Sequence, residues 1–314
     1  MRGLGLQLSR FGSIQLEAVD TPPPLIRRLV IIDSEYYGFS MLQPPEGLSR
    51  REMLRLSSGA LLSLGLWPGA LSAADAPRSG NYSFIVTNDT HHMSDECTVW
   101  LERVVAQMRT HREARLCIAL GDLTDTGAQA SMIAFRNTFA KLRIPVRVQI
   151  GNHDYAAGND RSQYEATFPG QLNYEFRYRG WQYVSLDSTE GTKADKVVVQ
   201  PATFAWLDKN LPRLNPRRPT ILYTHLPMGE GVLYRPVNAD ALLDRFRDFN
   251  LRAVFSGHYH SLTQKAGRNG ALMTTNRCCA LKRGNHDGTK EKGYFLCTAR
   301  DGDVRFEFVE VKPA

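Results

Sequence analysis

Residues 82–91 read Tyr-Ser-Phe-Ile-Val-Thr-Asn-Asp-Thr-His, a short apolar, β-branched run that opens directly into a cluster of Asn, Asp and His. The run predicts a buried strand over Tyr82–Thr87 and the cluster a site at its end. The same junction recurs four times. Leu116–Leu120 runs into Gly121-Asp122-Leu123-Thr124-Asp125, and Val146–Ile150 into Gly151-Asn152-His153-Asp154. Thr220–Thr224 runs into His225, and Leu251–Ser256 into Gly257-His258-Tyr259-His260. Ligands gather at strand ends in α/β sheets, so this repeated punctuation bears on fold and site together.

Between these strands the apolar spacing is helical. Ser94–Thr110 carries Val99, Leu101, Val104, Val105 and Met108 at that spacing, and Ala128–Leu142, Pro201–Leu211 and Ala239–Phe249 read alike. Pro201 suits the first turn of its helix. Tyr174–Tyr178 and Tyr183–Leu186 are two more strands. The tail, Leu272–Thr275, Tyr294–Thr298 and Val304–Val311, alternates as an antiparallel sheet does and is expected to complete the second sheet. Strand–helix alternation in front of a strand-rich tail predicts an α/β fold over residues 81–314. The expected form is a four-layer α/β/β/α sandwich with two packed mixed sheets. The chain has 314 residues, 42% hydrophobic and 23% charged, which is ordinary for a globular protein, and no internal repeat is visible.

The five clusters have the composition of a metal site. Two divalent ions side by side need a bridging carboxylate, with imidazole and oxygen ligands around each. Residues i and i+2 of an extended segment face the same way, so Asp89 with His91, and His258 with His260, are expected to present pairs to one cavity. The glycines before Asp122, Asn152 and His258 are expected to let the backbone turn out of a strand without a Cβ clash. No cysteine takes part, so the donors suit Mn, Fe, Zn or Ni in an open site. A lone strand-end histidine is usually an ordinary hydrogen-bonded residue. Five of the chain's eight histidines lie in this ordered set, however, and the order is what excludes the ordinary explanation. A second Gly-Asn-His-Asp run, Gly284–Asp287, lies outside that order and reads as a solvent loop or as part of a substrate mouth.

The ordered set Asp-x-His, Gly-Asp-x-x-Asp, Gly-Asn-His-Asp, lone His and Gly-His-x-His resembles the calcineurin-like metallophosphoesterases over roughly residues 82–265. The resemblance implies two divalent metal ions. Asp89, His91, Asp122 and His260 would hold one; Asp122, Asn152, His225 and His258 would hold the other, with Asp122 bridging. It also implies that His153 acts on the scissile phosphate or the leaving oxygen. Asp125 would orient His153 by hydrogen bonding, with Asp154 and His92 placed behind the ligands. The implied reaction is in-line hydrolysis of a phosphodiester or phosphomonoester by a hydroxide shared between the ions. Purple acid phosphatases carry a Tyr at the position of Asp125, which speaks against a tyrosinate-iron site. The spellings Asn-Asp-Thr-His and Gly-Asp-Leu-Thr-Asp-Thr-Gly are closer to the bacterial cyclic-nucleotide phosphodiesterase branch. Branches of the family act on nucleotides, lipids, nucleic acids and phosphoproteins. The implied partner is therefore a phosphate-ester small molecule, lipid or nucleotide.

The front of the chain reads as an address. Ser-Arg-Arg-Glu-Met-Leu-Arg at 49–55 precedes a mildly apolar stretch, Leu56–Leu71, and then Ser72-Ala73-Ala74-Asp75-Ala76. Basic segment, apolar segment and small residues in that order form a secretory leader, and Arg50-Arg51 resembles a twin-arginine signal. Three serines and three glycines weaken that stretch as a membrane span. Residues 49–76 are thus expected to be a leader read by the twin-arginine export machinery. The mature protein would then be periplasmic or extracellular, with no stable membrane span after cleavage. Residues 1–48 are either an extended leader or the result of a start placed too far upstream, with Met41 as the alternative start.

The net charge is +7; seven Arg against six acids in residues 1–74 leave +6 for the rest. Such a charge could steer anionic substrates, but Lys and Arg scattered over a solvated surface are the favoured explanation. No basic–aromatic stripe marks a nucleic-acid surface. The five cysteines contain no C-x-x-C pair. Cys117 and Cys297 sit in apolar runs and read as core; the pairing of Cys278 and Cys279 is open. Two rivals come from other classes: a non-catalytic scaffold of the same fold, and a nuclease.

Overall fold

The computed structural model describes residues 80–312. The expected leader, with Arg50 and Arg51, lies outside the described residues. Among the described residues no helix is long and apolar enough to cross a membrane.

The strands are β1 (Tyr82–Thr87), β2 (Ala114–Ala119), β3 (Val146–Val148), β4 (Tyr174–Tyr178), β5 (Trp181–Ser185) and β6 (Thr220–Thr224). They continue with β7 (Leu251–Ser256), β8 (Thr263–Ala266), β9 (Leu272–Thr275), β10 (Gly293–Arg300) and β11 (Asp303–Glu310). The α-helices are α1 (Asp95–Met108), α2 (Gln129–Ala140), α3 (Ser162–Thr167), α4 (Pro201–Asn210) and α5 (Ala239–Asp244). One sheet has the order β11-β10-β1-β2-β3 and the other β4-β5-β6-β7-β9-β8. Both are mixed: β1, β2 and β3 are parallel, as are β5, β6, β7 and β9, with antiparallel strands at the flanks.

Strand alternation builds the layers. Phe84 and Val86 face the other sheet with Tyr183, Tyr223, Phe255 and Phe295, while Ile85 faces the opposite way with Leu101, Val104 and Phe135 of α1 and α2. In the second sheet Val184, Leu222 and Val254 point outward against Leu207 of α4 and Leu242 of α5. These three apolar layers separate four layers of backbone, so the fold is the expected α/β/β/α sandwich. Each fully buried Phe between the sheets contributes about 1.5–3 kcal/mol.

The tail does not behave as one sheet. β10 pairs antiparallel with β1 in the first sheet, whereas β9 lies parallel to β7 in the second. The β10–β11 hairpin fills the open side of β1, with the Phe295 and Phe306 rings in tilted contact, centroids 4.3 Å apart, in the inter-sheet layer. The expected helix Ala239–Phe249 ends at Asp244 and gives way to turns, and β8 is an added edge strand. All five cysteines are buried and free, Cys117 and Cys297 on opposite faces of the first sheet.

Candidate metal centre

The parallel strands of both sheets end at one cavity. Asp89, Asp122 and Asn152 follow β1, β2 and β3 of the first sheet, and His225 and His258 follow β6 and β7 of the second. Asp89, His91, Asp122 and His260 form one buried group of ligand atoms, and Asp122, His225 and His258 another. Asp122 divides its oxygens between them: Oδ2 lies 3.5 Å from His91 Nε2, and Oδ1 lies 3.2 Å from His225 Nε2. Asn152 Oδ1 is 3.1 Å from that same nitrogen.

The four ligand imidazoles are each fixed from behind. His225 donates through Nδ1 to the Leu120 carbonyl at 2.8 Å, and His260 through Nδ1 to the Gly284 carbonyl at 3.0 Å. His258 donates through Nε2 to the Ala194 carbonyl at 2.9 Å, and His91 through Nδ1 to the Asp125 carboxylate at 3.1 Å. A nitrogen that donates outward leaves the other ring nitrogen as a lone pair turned inward. Those inward nitrogens then face one another, His91 with His260 at 3.3 Å and His225 with His258 at 3.2 Å. When all four rings are neutral, acceptor faces acceptor beside two buried carboxylates, an arrangement that a cation satisfies. The residues therefore fit a divalent metal in each group.

In the bare site a proton on His225 and another on His260 stand in for the cation. Burial opposes charge on His225 and His260, yet Asp122 and Asp89 outweigh it and raise them to about 9 and about 11. Burial would also raise Asp89 and Asp122, but His260 draws Asp89 down to about 2 and His225 holds Asp122 well below its usual range. Burial and the charge on His225 lower His258 to about 4.

Two sequence expectations are corrected by the geometry. The Asp89–His91 and His258–His260 segments are not extended, because all four residues have left-handed φ, between 42° and 65°. His258 and His260 nonetheless line one cavity, each in a different ligand group. Asp125 holds His153 through its backbone carbonyl, at 2.9 Å from Nδ1, whereas its carboxylate turns to His91 and Arg283. Arg283 draws that carboxylate away and, after the His91 hydrogen bond, helps hold it down at about 2.

His153 lines the cavity, and its backbone N–H donates to Asp122 Oδ1 at 2.8 Å. Asp154 lies behind the ligands: its carboxylate accepts the N–H groups of Gly151, Leu123 and Thr124, tying the second and third strand-end loops together. Burial and then the charge on Asp122 push it up to about 7. His92 turns away, its Nε2 2.7 Å from the Thr98 hydroxyl of α1.

The cavity has a volume of about 140 Å³, and Tyr234, Arg283 and His286 also line it. Sequence reasoning missed Tyr234 and Arg283. Nothing in the spelling marks the left-handed Tyr234, but Arg283 immediately precedes the second Gly-Asn-His-Asp run, which was the available signal. A larger cavity of about 230 Å³ lies beside α5 and β8, and no group of metal-type donors among the described residues falls in it.

Comparison with known proteins places the chain in a family. The chain is 22% identical over 197 residues to a probable cyclic nucleotide phosphodiesterase of Vesicomyosocius okutanii, covering 59% of this chain and 81% of that protein. It is 28% identical over 158 residues to a probable cyclic nucleotide phosphodiesterase of a Synechococcus strain, covering 48% of this chain and 59% of that one. Among solved structures it resembles a dimetal phosphatase from Danio rerio, with a TM-score of 0.53 at 14% identity over 70% of this chain and 93% of that chain, which is a likeness of fold. The family model for the calcineurin-like phosphoesterases matches residues 82–262, a segment that holds all seven candidate ligand residues together with Asp125 and His153. This chain belongs to the calcineurin-like phosphoesterase family.

Proposed function

We propose that this protein is a dinuclear-metal phosphodiesterase that is exported by the twin-arginine route and works outside the cytoplasm. The observation that carries the chemistry is the set of four imidazoles, each pinned by an outward donor so that its remaining nitrogen turns toward Asp89 or Asp122. Asp89, His91, Asp122 and His260 would hold one ion; Asp122, Asn152, His225 and His258 would hold the other. Divalent ions bound there would supply Lewis acidity to the phosphoryl group and activation of the attacking water.

The chain's own groups do the rest. Asp122 spans both ligand groups, one oxygen toward each. His153, anchored at Nδ1, has Nε2 left to hold a proton at the phosphoryl or leaving oxygen. The descriptions of the two curated relatives favour a diester over a monoester.

Asp122→Asn is expected to lower hydrolysis of bis(p-nitrophenyl) phosphate by about 10³-fold or more and to reduce bound metal. Full activity with metal content intact would contradict the assignment. Export rests on Arg50 and Arg51. Replacing both with Lys in the full chain should keep the protein in the bacterial cytoplasm, and unaltered export would remove that part of the proposal.

A further inference from the structure

The second Gly-Asn-His-Asp run, left over by the ligand assignment, is built as a clamp. The Asn285 side chain accepts the N–H of Cys278 at 3.0 Å and donates to the Glu291 carbonyl at 2.8 Å and to Thr289 Oγ1 at 3.1 Å, closing the segment on itself. Asp287 accepts the Thr289 N–H at 3.0 Å. The clamped loop is fastened to a metal ligand from both sides: the Gly284 carbonyl accepts from His260 Nδ1, and the His286 N–H donates to the His260 carbonyl at 3.2 Å. It therefore has a fixed position relative to the ligand groups.

What the loop delivers is Arg283. Its Nε and one terminal nitrogen bond Asp125 Oδ1 at 2.9 and 2.6 Å, while the other terminal nitrogen makes no hydrogen bond among the described residues. Arg283 lines the same cavity as Asp122, Asn152 and His153, and its side chain is 39% exposed. Asp125 thereby positions two groups at once, His153 on its carbonyl and Arg283 on its carboxylate. A guanidinium held at one edge keeps donors for a planar or tetrahedral anion, and phosphate oxygens are its preferred partner.

We infer that Arg283, carried on the clamped 281–287 loop, is a substrate-binding residue that takes a non-bridging oxygen of the phosphoryl group beside His153. This rests on the phosphoesterase reading and adds a protein cation to the phosphate site. A dianionic phosphoryl group interacts with a fixed positive charge more strongly than a monoanionic one. Arg283 accordingly sets how well the enzyme accepts monoesters relative to diesters.

The test uses the full chain loaded with Mn²⁺, comparing wild type, Arg283→Ala and Arg283→Lys. Hydrolysis of p-nitrophenyl phosphate and bis(p-nitrophenyl) phosphate is measured together with calorimetric binding of inorganic phosphate and metal content. Arg283→Ala should keep its metal, weaken phosphate binding roughly 10- to 100-fold, and lose more kcat/KM on the monoester than on the diester. Arg283→Lys should recover part of both losses. Unchanged phosphate affinity in Arg283→Ala would overturn the inference, as would loss of metal with equal losses on the two esters, which marks a role confined to Asp125 and His91. If wild type turns over neither ester, the phosphoesterase reading itself fails, a result separate from any effect of Arg283.

Discussion

Five of the seven proposed ligand residues, Asp89, His91, Asp122, His258 and His260, hold left-handed backbone angles. Each costs a non-glycine residue roughly 1–2 kcal/mol, a strain that clusters where function requires it. The glycines before Asp122, Asn152 and His258 were expected to absorb the turns. Only Gly121 has such an angle, at +92°. Gly257 is there for close approach, since a Cβ would lie 2.7 Å from Asp89 Oδ2, and a Cβ on Gly151 would collide with the backbone and carboxylate of Asp122. Gly151→Ala should therefore displace Asp122, lose bound metal and cut turnover by about 100-fold or more. Gly170→Ala, at a φ of +73° but in open space, should cost about 1 kcal/mol of stability and leave turnover in place. Equal turnover in the two variants, each measured with its metal content, would contradict this account.

At the scale of elements, Asp154 braces two of the five strand-end loops, those after β2 and β3. Its carboxylate accepts three backbone N–H groups from two loops and the Thr124 hydroxyl at 3.1 Å. An amide in its place turns a donor toward at least one of these, so Asp154→Asn should destabilise the metal-free protein by about 1–3 kcal/mol, measured by denaturant unfolding. An unchanged unfolding free energy would show that the loops stand without it. The strands and ligand clusters were legible because a buried parallel strand is a short β-branched run, and its polar stop is abrupt: Thr87 to Asp89 and Ser256 to His258 are visible by eye. Pairing was not legible. Nothing in Tyr294–Thr298 says that it lies beside β1 rather than in the second sheet, because alternation reports a face and not a neighbour. The same limit hid the swing of the Asp125 carboxylate to His91, since its competitor Arg283 lies 158 residues away in sequence.

Across the whole molecule, the centre joins two sheets that otherwise meet through an apolar layer. Asp89, Asp122 and Asn152 come from one sheet and His225 and His258 from the other, so ions held among them would bind only when both are folded and in register. Metal should stabilise the fold accordingly, by about 2.7 kcal/mol at a free concentration 100 times Kd. Chelation should lower the unfolding temperature, and Mn²⁺ should restore it. An unfolding temperature indifferent to chelator would mean that the sheets do not share a metal centre.

The most direct test is a titration of Mn²⁺ into the metal-free full chain, following bound metal and hydrolysis of bis(p-nitrophenyl) phosphate together. Two ligand groups sharing Asp122 predict that turnover rises with the second equivalent bound and reaches its maximum with both sites filled. Full turnover with a single equivalent would contradict the shared centre, and no turnover with two bound would leave a metal-binding scaffold in place of an enzyme.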